Sequence, residues 1–565
     1  MASSKRLKPL SISVTGKHIF IGNTEYDHRA KWASIPGAIW AKKLQKWQYP
    51  KSPFSAFRIK WTAEQTGQTL KKEKTFQELL DEMKLIRAIA HNCKQADSLG
   101  YAEQFRKTAF NTTTVPWAHQ VVAAEFTRGR SSAYLAMDMR TGKTMVAINE
   151  IYHRDARTVL VVCPKPVIDV WVEELEKHKP SKRRRVLALY DGSSTKKADQ
   201  VRTFLGAGLT SASIIICNYE SFWRGDLGKT FIDNYFDIVI YDEIHKLKSA
   251  GSRVSTFAKR MAHRSDFRLG LSGTPFPNGP QDAYGQYRAL DAGIFGTSVS
   301  KFRRRYFIMN EYVDYPEIVG TRNEEQMEQL LGLTMFRVKK EDVLDMPQYQ
   351  TIHRYFRLGP SARQSYESME QDFVTFVKSG RATATNALTK IVRLQQITSG
   401  FVKTELGSEE TVGNEKREAL KEVLSTEIPR GEPVVVLCRF TKDLEAVEAV
   451  THELKLSYKE LSGNRKELDG AQYPDGCDVL GVQVQSGSLG INLSRSGFCI
   501  FYSVGYSLAE FLQSKDRMFK PDANSKILYI HLLAKDTIDE MVYQIILEKK
   551  EIVDGILEKI RQDIN

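Results

Sequence analysis

Two series of continuous apolar runs constrain the fold of this 565-residue chain more than any other feature. Continuous runs are typical of strands covered on both faces, whereas half-exposed strands alternate apolar and polar residues. Segments of helix length separate the runs, so the sequence predicts an α/β fold with two successive parallel sheets. The predicted strands are 133–137, 158–163, 186–190, 213–217, 236–241 and 268–272 in the first series and 433–438, 478–484, 497–502 and 527–533 in the second.

The string Met139-Arg-Thr-Gly-Lys-Thr144 directly follows the first predicted strand. It opens an apolar-periodic segment that is typical of a helix, so it connects a strand to a helix N-terminus. In that context Gly-Lys-Thr binds phosphates, because backbone N–H groups face the anion, the lysine reaches the terminal phosphates and the threonine hydroxyl ligates Mg²⁺. The residues expected to bind the nucleotide are Arg140, Thr141, Gly142, Lys143 and Thr144, with Thr144 also a metal ligand.

Two adjacent carboxylates end another predicted strand, in the string Tyr241-Asp-Glu-Ile-His245. The C-terminal ends of parallel strands form the edge at which open α/β sheets bind ligands. There, Asp242 would hold Mg²⁺ through water and Glu243 would orient the attacking water as a general base. Together with the glycine-containing string, this pair predicts a nucleoside triphosphatase that uses Mg²⁺.

The charge balance favours a polyanionic partner. The chain has 82 lysines and arginines against 68 acidic residues, a net charge of +14 that favours nucleic acid. Its six cysteines are scattered without a Cys-x-x-Cys pair, which indicates buried thiols and argues against a structural zinc. No stretch approaches 18 uninterrupted apolar residues, so we expect no membrane span and a cytoplasmic location.

Changes of pattern along the chain predict several domains, because one hydrophobic core does not extend over 565 residues. The first α/β series is preceded by short alternating runs and a helical stretch, and it is followed by a charged, helical region. The predicted segments are a small β-rich module (1–62), a helical linker (63–112), a first α/β lobe (113–290), helical protrusions with a lobe linker (291–410), a second α/β lobe (411–536) and a C-terminal helix (537–565).

The order of the motifs resembles superfamily 2 helicases, and within them the Swi/Snf-like DNA translocases, over about residues 113–545. The matching strings include Pro116-Trp-Ala-His-Gln120, Val161-Val-Cys-Pro164, Asn218-Tyr-Glu220, Asp242-Glu-Ile-His245, Ser272-Gly-Thr-Pro275, Phe336-Arg-Val-Lys-Lys-Glu-Asp-Val343 and Gln513-Ser-Lys-Asp-Arg517. The resemblance implies two RecA-like lobes that hold Mg·ATP, with Gln120 contacting the adenine. The nucleic-acid contacts that it implies are Lys165, Asn218, Lys246, Ser272 and Thr274.

Two positions depart from the family's pattern. Arg140 stands in the phosphate loop where the family usually has glycine, and Lys520 stands where it has the second of two arginines. Lysine keeps the charge but lacks the planar fork of arginine, so Arg517 is the expected stabiliser of transition-state charge, with Lys520 a further catalytic candidate. The nucleotide contacts implied in the second lobe are Gly490, Asn492 and Gln513.

Residues 1–62 resemble the HARP module of annealing helicases, through Ile35-Pro-Gly-Ala-Ile-Trp40 and Trp47-Gln-Tyr-Pro50. Trp40 and Trp47 are interleaved with lysines, an arrangement in which rings stack on bases while amines bind phosphates. The alternative is that the tryptophans fill the core of the module and the lysines form a solvated rim.

The sequence thus predicts a DNA-dependent ATPase and translocase that remodels or anneals branched DNA, with ATP and Mg²⁺ as cofactors. The expected partners are double-stranded or forked DNA, with single-stranded DNA or RNA as further candidates, and a monomer is expected. No motif reads bases, so binding should be directed to the backbone and sensitive to salt. Two alternatives remain open: a strand-separating DNA or RNA helicase, and a nucleic-acid clamp with an impaired ATPase, which Arg140 and Lys520 favour.

Overall fold

The computed structural model describes ten stretches of the chain, which fall into two compact units. The first unit comprises Met1–Val343 and Val553–Asn565, and the second comprises Leu344–Ile552. The described stretches are 8–95, 110–180, 184–206, 212–310, 317–378, 384–403, 409–468, 472–484, 491–519 and 526–562. Helices and strands are numbered below along the chain.

The first unit begins with a small antiparallel sheet, as the short alternating runs predict. Its strand order is β1-β2-β4-β3. Alternate residues of the two central strands, such as Ile19 and Tyr49, are buried in its core. The elements are β1 (Ser11–Val14), β2 (His18–Gly22), α1 (Arg29–Ser34), β3 (Ile39–Ala41), β4 (Lys46–Pro50), α2 (Pro53–Gln65) and α3 (Lys74–Gln95).

A seven-stranded parallel sheet forms the larger part of this unit, in the order β13-β5-β10-β9-β6-β8-β7. All six predicted strands of the first series are present in it. The elements are α4 (Ala118–Thr127), β5 (Ser132–Met137), α5 (Lys143–His153), β6 (Thr158–Cys163), α6 (Ile168–His178), β7 (Arg185–Ala188), α7 (Ser194–Gly206), β8 (Ser213–Asn218), α8 (Tyr219–Phe222), α9 (Gly225–Asp233), β9 (Phe236–Asp242), α10 (Arg253–Met261), β10 (Ser265–Leu271), α11 (Ala283–Leu290), α12 (Ala292–Phe295), α13 (Val299–Tyr306), β11 (Phe307–Asn310), β12 (Glu317–Thr321), α14 (Glu324–Thr334) and β13 (Met335–Val338).

The seventh strand of this sheet, β13, lies in the region that the sequence predicts to be helical. It pairs in parallel with β5, and its Phe336 stands opposite Leu135. A run of four residues is too short to show a period, and its partner strand is about 200 residues earlier in the chain. The sheet of the first lobe therefore continues beyond residue 290, where the prediction ends it.

The second unit contains a six-stranded parallel sheet in the order β14-β21-β20-β17-β19-β18. The four predicted strands of the second series form its centre, which confirms the two-sheet α/β fold. The elements are β14 (Gln348–Phe356), α15 (Pro360–Lys378), α16 (Ala384–Thr398), β15 (Phe401–Lys403), β16 (Glu409–Thr411), α17 (Glu415–Thr426), β17 (Val434–Cys438), α18 (Thr441–Glu453), β18 (Tyr458–Leu461), β19 (Val479–Gln483), β20 (Phe498–Phe501), α19 (Leu508–Met518), β21 (Lys526–Ala534) and α20 (Ile538–Gln562).

The sequence also predicts that the cysteines are buried free thiols and that the chain has no membrane-spanning helix. All six cysteines are buried free thiols, as their scattered spacing predicts. Across the stretches of chain that the structure describes, none of the helices combines the length and the apolar character needed to cross a bilayer.

A buried ion pair joins two helices of the second unit. Lys416 on α17 donates to Asp539 on α20 at 2.9 Å, and Thr398 donates to the other carboxylate oxygen at 2.8 Å. Removing one partner of a buried pair leaves the other charge uncompensated in an apolar setting. The pair therefore fixes where α20 begins its packing against the second sheet.

We expect Asp539→Leu to lower the free energy of unfolding by about 3–5 kcal/mol, because it leaves the Lys416 ammonium buried without a counter-charge. The double variant Lys416→Met/Asp539→Leu should recover most of this loss. Lys442→Met, which breaks a half-exposed pair with Glu445, serves as the control and should cost about 1 kcal/mol or less. Urea unfolding curves measure all three variants, and equal losses in Asp539→Leu and the double variant would contradict the assignment.

Candidate nucleotide-binding site

The phosphate loop connects β5 to α5 at the C-terminal edge of the seven-stranded sheet. Gly142, the residue before α5, has φ +78°, and a side-chain Cβ there would lie 2.0 Å from Nε2 of Gln120. Glycine therefore suits the left-handed backbone, and a larger residue would also displace the Gln120 amide. Arg140 is also left-handed, with φ +65°. This explains physically why glycine suits that position, since other residues are strained in this conformation.

Gln120 holds the loop from the side of α4. The side chain is 3% exposed, and its Oε1 accepts a hydrogen bond from the Trp117 N–H at 2.8 Å. Its Nε2 donates to the carbonyls of Thr141 and Gly142, both at 3.4 Å. His119 also donates to the Thr141 carbonyl from Nε2, at 2.8 Å, since a carbonyl only accepts. Both ends of the Gln120 amide are thus engaged with its own helix start and the loop, and its contact with adenine stays a prediction.

Asp138 anchors the loop from the other side, and sequence reasoning did not identify it. Its backbone carbonyl accepts hydrogen bonds from the Thr141 hydroxyl at 2.7 Å and from Nζ of Lys143 at 3.3 Å. Its carboxylate accepts from Arg337 at 2.6 Å and from the N–H of Lys340 at 3.1 Å. The segment 336–343, which resembles the family's, therefore helps to fix the loop. The sequence signal that could have identified Asp138 is its position, as an acidic residue directly before the loop.

The acidic pair ends β9, which lies between β10 and β6. Asp242 is buried, and its Oδ2 accepts a hydrogen bond from the Trp171 indole N–H at 2.9 Å. Burial and then the charge of Glu243 raise the pKa of Asp242 to about 6, while the Trp171 bond and the charge of Lys143 act against the rise. The charge of Lys143 acts to lower the pKa of both carboxylates.

Glu243 lies in the left-handed region, with φ +52° and ψ +52°, a conformation that non-glycine residues adopt mostly at sites under functional constraint. Its Oε2 is 3.1 Å from Nδ1 of His245 and accepts a hydrogen bond from the Ser272 hydroxyl at 3.2 Å. Burial raises the pKa of Glu243, but the His245 bond and the Lys143 charge outweigh it and hold the pKa below its ordinary value. Neighbouring carboxylates with pKa values pushed apart are typical of an acid–base site.

The donor atoms at this edge suit a magnesium ion. Thr144, the second residue of α5, offers a hydroxyl, and Asp242 offers a carboxylate that burial destabilises as an anion. Mg²⁺ prefers such oxygen ligands, and it is usually held by one or two carboxylates together with substrate phosphates. A bound cation would stabilise the Asp242 anion that the apolar surroundings destabilise.

Two of the predicted nucleic-acid contacts lie on the surface. Lys165 follows β6 and forms an exposed ion pair with Asp191 at 2.7 Å. Lys246 follows the acidic pair and is exposed. An exposed pair contributes little to stability, so the Lys165 ammonium remains available to a phosphate.

The other three predicted contacts are buried. Ser272 is 0% exposed and bonds to Glu243, and the Thr274 N–H donates to the same hydroxyl at 3.1 Å. The Asn218 amide, also buried, donates to Glu220 at 2.8 Å. The Ser272 side chain holds Glu243 through its hydrogen bond, and its contact with nucleic acid stays a prediction. The side chains of Asn218 and Thr274 are buried as well, and their contacts with nucleic acid stay predictions.

The two tryptophans predicted to stack on bases pack against each other in the N-terminal module. Trp47 is 5% exposed and belongs to the hydrophobic core of the module, so the prediction of base stacking is wrong for it. Trp40 is half-buried and meets Trp47 edge to face, with ring centroids 5.2 Å apart. The alternative given above, in which the tryptophans fill the core, is the correct one for Trp47.

The second unit carries the remaining candidates. Arg517 lies on α19, where burial lowers the pKa of its guanidinium to about 10. Gln513 is half-buried one turn earlier on the same helix, and Asn492 is exposed. Gly490 and Lys520 lie outside the described residues. The roles of all five in nucleotide binding or catalysis stay predictions.

A paired substitution separates backbone strain at Arg140 from the contacts of its side chain. Arg140→Ala removes the side chain but keeps the left-handed strain, whereas Arg140→Gly removes both. We expect the glycine variant to be more stable than the alanine variant by about 1 kcal/mol, because a non-glycine residue is strained at φ +65°. Thermal unfolding compares the two variants, and an alanine variant that is equally stable would contradict strain in the loop.

The comparisons with known proteins fit this geometry. A family model described as SNF2-related domain matches residues 54–400, which is more than half of the chain. Protein p41 of Acyrthosiphon pisum secondary endosymbiont phage 1 is 26% identical and covers 80% of this chain and 99% of its own length. The chromodomain-helicase-DNA-binding protein 1-like of Danio rerio and the human DNA repair and recombination protein RAD54B are both 22% identical, over 77% and 76% of this chain.

The chain spans only 43% and 52% of the length of the zebrafish and human relatives. Among solved structures, the Sulfolobus solfataricus SWI2/SNF2 ATPase core in complex with dsDNA is 18% identical. The match covers 80% of this chain and 95% of that one, with a TM-score of 0.37. On the strength of the family model, the chain belongs to the SNF2-related family, which confirms the resemblance to Swi/Snf-like superfamily 2 helicases and, with it, the predicted class of enzyme, an ATP hydrolase.

Proposed function

We propose that this chain is a DNA-stimulated ATPase that translocates on duplex DNA. One observation carries the proposal: the phosphate loop and the acidic pair lie at the same C-terminal edge of one parallel sheet, at the ends of β5 and β9. Phosphate-binding loops and carboxylate pairs in that position are typical of nucleoside triphosphatases. Bound Mg·ATP would supply the phosphoryl group that water attacks.

The first unit binds the nucleotide in this proposal. The loop N–H groups and the N-terminus of α5 attract the phosphates, while Lys143 supplies a point charge. Thr144 and Asp242 hold the metal. The bonds from Asp138 and Gln120 keep the loop in its phosphate-binding shape before the nucleotide arrives, which lowers the cost of binding.

Glu243 acts as the general base and orients the attacking water. Its carboxylate accepts the proton of the water, a role that requires the ionised form. His245 and Ser272 fix the side chain and favour that form, since both donate hydrogen bonds to carboxylates. Arg517 of the second unit is proposed to stabilise the developing negative charge.

Double-stranded DNA is the proposed partner, with forked DNA the finer proposal. The net charge of +14 favours a polyanion, and Lys165 and Lys246 are exposed near the catalytic edge. The names of the zebrafish and human relatives refer to DNA binding and to DNA repair. The resemblance of residues 1–62 to a HARP module supports remodelling or annealing of forks. A clamp with an impaired ATPase is the second candidate, which the strained Arg140 in the loop favours.

We expect steady-state ATP hydrolysis to rise at least about tenfold with duplex or forked DNA and to fall by about 10²-fold or more in Lys143→Ala, because the lysine is the main charge on the phosphates. Single-stranded DNA of equal length is the comparison substrate. Lys84→Ala is the control variant, since this lysine on α3 lies outside the N-terminal module and forms an exposed pair with Asp81. A wild-type rate equal to that of Lys143→Ala on every DNA would contradict the motor and favour the clamp.

The pH dependence tests the role of Ser272. Its hydroxyl donates to the Glu243 carboxylate and so stabilises the charged form, which lowers the pKa of Glu243. Ser272→Ala should therefore raise this pKa and move the acid limb of kcat/KM for ATP to higher pH. Ser255→Ala removes another fully buried serine away from Glu243 and should leave the profile unchanged. An acid limb that moves to lower pH, or equally in both variants, would contradict this role.

A further inference from the structure

Most of the net positive charge of the chain lies in its first 62 residues. This stretch contains twelve lysines and arginines against two acidic residues, so it accounts for +10 of the net +14. A concentration of one sign of charge in a small module attracts a polyanion and raises its rate of association. Trp47 is buried in the core of the module, so it does not form the contact surface for such a partner.

The hairpin between β3 and β4 has a well-defined tip. Its register pairs Trp40 with Trp47 and Ala41 with Lys46, which leaves residues 42–45 as the connection. The Leu44 N–H donates to the Ala41 carbonyl at 3.0 Å. Nε2 of Gln45, which has φ +51°, donates to the Lys42 carbonyl at 2.7 Å. The tip is therefore closed by its own hydrogen bonds and has a definite shape.

The base of the hairpin is braced by its two tryptophans. Trp47 is buried in the core beneath the sheet, and Trp40 packs on it edge to face. Such a cross-strand aromatic pair stabilises the strands that carry it. Trp40 and Trp47 thus support the tip from below.

The tip combines an apolar point with positive charge. Leu44 is 57% exposed, and Lys42 and Lys43 beside it are exposed. No carboxylate pairs with these lysines or with Lys46 in the part of the chain that the structure describes. A single exposed leucine is ordinary on a protein surface, but one that stands at the end of a braced hairpin among lysines is suited to insertion beside a charged polymer.

We propose that this tip is a wedge for DNA junctions: Leu44 packs against the last base pair of a duplex where the strands part, and Lys42, Lys43 and Lys46 bind the phosphates on either side. Proteins that unstack DNA insert leucine and similar apolar side chains at a base step. The lysines attract DNA of any base sequence, because they displace counterions from its phosphate backbone. This proposal deepens the proposed function, because it selects forked over plain duplex DNA.

The module is tied to the lobe that carries the phosphate loop, so the wedge would be fixed to that lobe. Ser52, the N-cap of α2, donates to the buried Asp291 carboxylate at 2.7 Å. Arg58 on α2 donates to the carbonyls of Gly293 at 2.6 Å and Ile294 at 3.0 Å. Buried polar bonds of this kind are costly to break. A movement of the first lobe during ATP hydrolysis would carry the wedge with it.

Equilibrium binding in the absence of nucleotide tests the wedge, with a fork and a blunt duplex of the same length and with 2-aminopurine at the junction. Leu44→Ser should reduce the preference for the fork by about tenfold, the value of burying one leucine side chain, and should abolish the 2-aminopurine fluorescence rise. Leu44→Met should retain both effects. Val319→Ser removes an equally exposed aliphatic side chain on β12 and should change neither.

The lysines give a separate readout. Lys42→Gln/Lys43→Gln should weaken binding to fork and duplex alike and reduce the slope of log Kd against log salt by about 2, since each phosphate contact contributes about 0.9. Lys71→Gln/Lys72→Gln is the matched control on exposed lysines outside the hairpin. An unchanged fork preference in Leu44→Ser, or equal slopes in the two lysine pairs, would overturn the wedge and leave an acidic protein as the partner to seek. These binding results do not depend on ATP hydrolysis, so they are distinguishable from a failure of the motor.

Discussion

Two carboxylates, Asp242 and Glu243, stand side by side at the buried end of β9, and the surroundings are arranged to tolerate two negative charges there. Bringing adjacent charges out of water is costly unless positive charge and hydrogen-bond donors compensate. Lys143 arrives from the phosphate loop, Trp171 from α6, and His245 and Ser272 from the ends of neighbouring elements. The order of the parallel strands makes this convergence possible, because β5, β6, β9 and β10 all end at the same edge.

The sequence predicted the parts of this arrangement that depend on long, continuous patterns. Ten strands were recognised from apolar runs, and the loop and acidic strings were placed at strand ends. Within the two parallel sheets, three strands were missed, β13, β14 and β18, because two are only four residues long and β14 lies at the sheet edge with mixed exposure. The positions of β13 and β14 depend on partners distant in the chain, which a local pattern does not encode.

Individual side chains were harder to place than strands. Whether an aromatic ring faces a ligand or a core depends on the tertiary packing, so Trp47 and a surface tryptophan have the same local signature. The same holds for Ser272, whose hydroxyl is used by Glu243, and for Asp138, which acts through its backbone carbonyl as well as its carboxylate. These residues support the predicted catalytic residues, and support of this kind becomes visible only once the strands are assembled.

The central claim is that the phosphate loop binds ATP and that Glu243 is the general base for its hydrolysis. Equilibrium binding of a fluorescent ATP analogue with Mg²⁺ to the wild type, Lys143→Ala and Glu243→Gln tests both parts, when each variant is also assayed for hydrolysis. The account predicts that Glu243→Gln binds the analogue as tightly as the wild type but does not hydrolyse ATP, whereas Lys143→Ala loses binding. Undiminished binding by Lys143→Ala, or hydrolysis by Glu243→Gln at the wild-type rate, would contradict it.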